Sequence, residues 1–212
     1  MRRSSWKQAH DCLCGDELCP AIGSTPGRSG RGGAIMERAR RNLVELILPA
    51  FSLSEPYSTL TYRALERRTI YTTLKQQLTL LSRSEPHQQT ALALQQLLLT
   101  WLDLEARETD LLHSAIVELL TVGRAIQIEV GDIQQSALYR TLYGLASQDA
   151  IILSAIMRDL STQDPSEAKC FISTNVKDFR DPGISAELKL FNCRYIPRLA
   201  DGLAYIDSIV PG

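Results

Sequence analysis

Four oxygen-bearing side chains stand where a chain of alternating strands and helices would bring them to one point. Glu55 follows the apolar run Leu43-Val44-Glu45-Leu46-Ile47-Leu48 and Pro49. Asp149 lies in Ser147-Gln148-Asp149-Ala150, at the start of a helical pattern, and Asn175 and Asp178 follow Lys169-Cys170-Phe171-Ile172-Ser173. Open α/β sheets gather their sites at the carboxyl ends of strands, where loops and helix N-termini meet. Carboxylates brought together there disfavour joint ionisation, so at least one of Glu55 and Asp149 is expected to have a raised pKa. Each residue also has a purely structural reading. Ser52 and Glu55 have the Ser-x-x-Glu spacing of a capping box, Asp149 complements a helix dipole, and Asn175 and Asp178 are common turn formers.

Two other groups invite chemistry. Arg63, Arg67, Arg68 and Lys75 occupy the helix after Glu55, where they form either a solvated face or a contact for an RNA backbone. His10, Cys12, Cys14 and Cys19 suggest a soft metal, but a structural zinc site uses two well-separated ligand pairs and this run is one crowded cluster. Cys170 and Cys193 fall in strand patterns and read as buried small hydrophobes. Trp101 reads as core on a helical apolar face. His87 and His113 have no acid or nucleophile at motif spacing.

The elements that must position the four residues follow from periodicity. Residues 43–48 make a short apolar strand closed by Pro49. Pro56 opens a helix to about Ser84, with Leu60, Ala64, Leu74, Leu78 and Leu81 as its intermittent apolar face. Pro86 breaks it, and Leu92 to Leu104 and Leu111 to Leu120 mark two more amphipathic helices. Ile126-Gln127-Ile128-Glu129-Val130 alternates as a half-buried strand or extended connection, and a helix over 133–143 ends at Gly144. Ser147 is placed to cap a helix whose body is 150–160. A strand over 169–173, a helix over 184–191, a strand over 193–196 and a helix over 198–209 complete the chain. Strands alternating with helices argue for an α/β fold with a parallel sheet and crossover helices.

Residues 1–41 differ, because Gly27-Arg28-Ser29-Gly30-Arg31-Gly32-Gly33 has no period and little apolar surface. A flexible Gly/Arg-rich tail is expected there, disordered to about Ile35, ahead of a domain over 42–212. The 212 residues are 44% hydrophobic and 22% charged, as a soluble globular protein with one core would be. No apolar run approaches the roughly 18 to 20 residues of a membrane span. The net charge of -1 advertises no global nucleic-acid field, so such a partner needs a local patch. An odd count of five cysteines without framework spacing fits a reducing cytoplasm, and the polar start lacks the apolar core of an export signal.

The segments Pro49-Ala50-Phe51-Ser52-Leu53-Ser54-Glu55-Pro56-Tyr57, Ser147-Gln148-Asp149-Ala150-Ile151-Ile152 and Ser173-Thr174-Asn175-Val176-Lys177-Asp178-Phe179 together resemble bacterial PIN-domain ribonucleases. Cys193-Arg194-Tyr195-Ile196-Pro197 and Asp201-Gly202-Leu203-Ala204-Tyr205-Ile206 resemble the close of that domain. The resemblance spans about the last four fifths of the chain and rests on the order of weak motifs. It implies a PIN-like three-layer fold and a metal-dependent endoribonuclease, with Mg²⁺ or Mn²⁺ held by Glu55, Asp149 and Asn175 and with Asp178 beside them. Hard divalent cations take oxygen ligands, and such an ion lowers the pKa of an attacking water. RNA is the implied substrate, and a small antitoxin-like protein and a second copy of the chain are candidate partners. The sequence departs from the family at its start. PIN proteins open with an apolar strand ending in an acid, then Thr or Ser and Asn, and no such strand precedes Asn42. Asp16 is the acid at a suitable distance before Pro49. The domain is therefore expected to be incomplete at its N-terminal strand, and a non-catalytic PIN-like domain that binds RNA or a protein is the alternative.

Overall fold

The computed structural model describes residues 7–11 and 30–210, with residues 7–11, 102 and 104 described by their backbone alone. Its strands are β1 (Lys7–Asp11), β2 (Val44–Pro49), β3 (Arg124–Ile126), β4 (Lys169–Ile172) and β5 (Cys193–Ile196). Parallel pairs β2–β3 and β4–β5 flank β1, which gives the order β3-β2-β1-β4-β5. The helices are α1 (Arg31–Arg40), α2 (Glu55–Leu81), α3 (Gln88–Val122), α4 (Val130–Tyr143), α5 (Ser147–Ser161), α6 (Val176–Phe179), α7 (Pro182–Leu190) and α8 (Leu199–Ile209). Helix predominates in this mixed α/β fold.

Alternation along the strands sends neighbouring side chains to opposite faces. Ile47, Phe171 and Cys193 face one core with Tyr139 of α4, Ile152 and Ile156 of α5, Phe179 of α6, and Ile184 and Leu188 of α7. Leu46, Leu48, Cys170, Ile172 and Ile196 face the other, with Ile35 and Ala39 of α1, Leu119 of α3 and Ile206 of α8. Burial on both faces explains why these strands read as continuous apolar runs. Most of α5 is buried, from Ala150 to Leu160, so the helix that carries Asp149 is held firmly against the sheet. Among the described residues no helix is long and apolar enough to cross a membrane.

Several expectations are corrected. The tail expected over 1–41 contains α1, whose Ile35 and Ala39 are 1% and 5% exposed. Glycine and arginine mask a short amphipathic helix there, anchored by Arg38 on Asp207 and by its apolar face against the sheet. No strand was expected ahead of Asn42, but β1 lies there, and it pairs with β2 over Lys7↔Val44 to His10↔Ile47 and with β4 over His10↔Phe171 and Asp11↔Ile172. Its polar text carries no strand period; what it satisfies is the backbone of two neighbours that would otherwise present unpaired edges. The two helices expected between 92 and 120 are one, α3, of 35 residues. Asp103, Glu105 and Glu108 interrupt the apolar pattern, but Glu108 accepts two hydrogen bonds from Arg67 and Glu105 one from Arg68 across the seam with α2.

Candidate functional site

The carboxyl ends of β2, β1 and β4 lie side by side, and the chain leaves β2 toward Glu55 and β4 toward Asn175 and Asp178. After β4, Ser173 is buried and its carbonyl accepts a hydrogen bond from the Tyr195 hydroxyl at 2.9 Å. The Asn175 backbone N–H donates to Ser173 Oγ at 3.3 Å. This pinned turn puts Asn175 at the N-cap of α6, where its Nδ2 donates to Asp149 Oδ1 at 3.2 Å. Asp149 stands in the first turn of α5 and is 8% exposed. The N-cap there is Ala146, not Ser147, and no side chain caps the end. Asp149 is thus a dipole-favoured position whose oxygen is engaged by another element.

Burial, and after it the like charge of Asp178, push the Asp149 carboxyl above the usual value of 3.8, while the Asn175 hydrogen bond acts against them. Of the Glu55 and Asp149 pair, Asp149 carries a raised carboxyl, and the like charge beside it is Asp178 of α6.

Glu55 reaches the same edge from β2. A 3-10 turn over Ala50–Ser54 follows the strand, and α2 begins at Glu55. The capping box read from Ser52 and Glu55 is not made: Ser52 Oγ donates to the Pro49 carbonyl at 2.8 Å, and the α2 N-cap is Ser54 with no side-chain bond. Instead Glu55 Oε1 accepts from Gln148 Nε2. That bond ties the start of α2 to the start of α5 at the residue before Asp149. The structure thus brings Asp149, Asn175 and Asp178 together and links Glu55 to them through Gln148. Nothing in its local spacing singles out Gln148, whose contact with Glu55 spans 93 residues.

Asp11 is a second omission. It ends β1 in register with Ile172, between the exits of β2 and β4. Lys7-Gln8-Ala9-His10 is too polar to read as an apolar strand ending in an acid. Asp16, Cys12, Cys14 and Cys19 lie outside the described residues. Among the described residues no group of three or more His, Cys, Asp or Glu side chains could hold a metal ion.

The basic face of α2 is mostly engaged within the protein. Arg67 and Arg68 pair with Glu108 and Glu105 of α3, and the Lys75 ammonium lies 5.7 Å from the Tyr71 ring centre. Cys170 and Cys193 are buried, and burial pushes the Cys193 thiol up to about 12, away from a reactive thiolate. The chain matches no family model, no curated protein and no solved structure.

Proposed function

We propose that this chain is a PIN-type endoribonuclease that uses Mg²⁺ or Mn²⁺ to hydrolyse RNA phosphodiesters in the cytoplasm. The observation that carries the reading is Asp149, a buried carboxylate at the exit edge of the sheet, engaged by the Asn175 amide and repelled by Asp178. The donors Glu55, Asp149, Asn175 and Asp178 are all oxygen-bearing, which fits a hard divalent cation and not zinc. Asp149, Asn175 and Glu55 would hold the ion, with Asp178 beside them, and Asp11, the last residue of β1, is the candidate for the family's first acid. When bound, the ion supplies Lewis-acid activation of a water and offsets charge on the phosphate.

The chain's own residues prepare that chemistry. Asn175 holds one Asp149 oxygen in a fixed direction, and Gln148 does the same for Glu55. Fixed ligands of this kind cost no reorganisation when charge develops. The strand order β3-β2-β1-β4-β5 with helical cores on both faces supports a PIN-like three-layer arrangement.

A non-catalytic PIN-like domain that binds RNA or a protein is the second reading, and the absence of a three-acid group among the described residues favours it. The two separate on Mn²⁺ titration calorimetry and cleavage of single-stranded RNA by the full chain. Mn²⁺-dependent cleavage that falls about 100-fold or more in both Asp149→Asn and Asp11→Asn supports the nuclease. RNA binding without Mn²⁺ uptake or cleavage supports the second reading.

A further inference from the structure

Helix α4 packs on the protein by its polar side. Its inward positions are Asp132, Ser136 and Tyr139, all buried, and Arg158 of α5 donates two hydrogen bonds to the Asp132 carboxylate. The aliphatic side chains point the other way. Val130 is 76% exposed and Ile133 49%, and Ala137 and Thr141 are exposed with them. At about 100° of turn per residue these four fall on one stripe about 80° wide, and Glu129 and Arg140 border that stripe on its Ile133 side. The apolar stripe of a surface helix ordinarily faces the core. In α4 it faces away from the core.

We infer that this stripe docks on the same stripe of a second copy of the chain, the two α4 helices running antiparallel across a two-fold axis. Two observations select that occupant. The first is charge. The N-terminal end of α4 holds Glu129 and Asp132 against Arg158 alone, an excess of one acid, whereas Arg140 near the other end forms no ion pair among the described residues. With Ile133 level with the partner's Ala137, Glu129 and the partner's Arg140 come within about one residue of the same level and on the same side of the seam, so an acidic end meets a basic end twice over. Parallel pairing would set each end against its own like charge. The second is shape. The same register places branched Ile133 opposite small Ala137 on both sides of the axis, a large side chain on a small one at each crossing. Fourteen residues at about 1.5 Å each make a contact about 21 Å long, well short of a standard interface, so the dimer is a weak one.

The inference is independent of the metal site and is tested on the full chain without metal. Sedimentation equilibrium at up to about 300 μM, enough to populate a complex with a Kd of about 100 μM, should give a mass rising toward twice the 23.6 kDa of the chain. Added salt should favour the monomer, because it screens the paired ends. Ile133→Glu should weaken association about 30-fold or more, with circular dichroism and Tm unchanged because the side chain it replaces is half exposed. Arg140→Glu leaves the apolar stripe whole and should weaken association about 10-fold by setting acid against acid. Leu138→Glu replaces a side chain as exposed as Ile133 but about 100° round the helix from Ala137, and should leave the dimer intact. A monomeric wild type overturns the inference. So does a dimer that survives Ile133→Glu or is lost in Leu138→Glu, and so does one that tightens with salt or is indifferent to Arg140→Glu.

Discussion

Substituting Asp149→Asn isolates charge at the site while keeping its geometry. The variant's amide oxygen can still accept the bond that Asn175 Nδ2 gives at 3.2 Å. What disappears is a carboxylate that burial and Asp178 hold above 3.8. A carboxyl with a raised pKa binds its proton more tightly folded than unfolded, so its contribution to stability falls as pH climbs above 3.8 and is least once pH exceeds the folded value. Asp149→Asn removes that deficit. At neutral pH the variant should be more stable by about 1 to 3 kcal/mol, the scale of a buried polar group whose bonds only partly replace water. For a chain of this size each kcal/mol moves Tm by about 2 to 4 °C. At pH below 3.8 both states are protonated and the gap should close. Scanning calorimetry in metal-free buffer from acid to neutral pH measures it. Mn²⁺ at ten times its Kd adds about 1.4 kcal/mol to the wild type alone, so the ion should narrow the gap. A variant less stable than wild type at neutral pH, or a gap independent of pH, would refute the reasoning.

Other outcomes follow from single contacts. Gly123→Ala should cost about 1 to 3 kcal/mol of unfolding free energy in urea, because a Cβ there would lie 2.8 Å from the Leu46 carbonyl oxygen and 3.1 Å from that of Leu119. Lys169→Met keeps the volume of a fully buried side chain but leaves the carbonyls of Asp164, Glu167 and Phe191 without their ammonium donor; a loss of at least about 3 kcal/mol is expected in the same assay. Burial first and Glu187 second raise Tyr139 to about 12 and push Tyr143 above the usual tyrosine value, so Glu187→Gln should lower both in an ultraviolet titration without restoring ordinary values. Gln148→Ala releases Glu55 and should weaken Mn²⁺ binding about 10-fold or more, with Tm in metal-free buffer nearly unchanged.

Much of the frame was legible because strong periodicity and punctuation agreed with tertiary burial. Val44–Pro49, Lys169–Ile172 and Cys193–Ile196 are strands where apolar runs stand, and Gly144 is in the left-handed conformation expected at the end of α4. The misses have a common cause: the deciding partner was remote in sequence. Ser52 and Glu55 matched a local capping rule, but Gln148, 93 residues away, takes the carboxylate. Asp103, Glu105 and Glu108 looked like a break between helices until Arg67 and Arg68 supplied cross-seam partners. Asp149 was correctly suspected of a raised pKa, yet the repelling charge comes from α6, whose approach depends on the Ser173 turn and not on spacing.

The placement of β1 sets the terms on which the site can work. Strands β2 and β4 are buried on both faces, so their backbone groups have no water to turn to and must find a partner strand between them. That demand is indifferent to side-chain polarity, which is how Lys7-Gln8-Ala9-His10-Asp11 occupies the middle of a sheet whose other central strands are apolar. Closing the sheet in this way aligns the exits of β2 and β4 on either side of Asp11. The same stretch of chain therefore sets the spacing between the β2 and β4 exits and ends in an acid between them. Metal binding that depends on Asp11 and a fold that does not would assign it a ligand's role, whereas loss of both together would make β1 a structural insert beside a site completed by other residues.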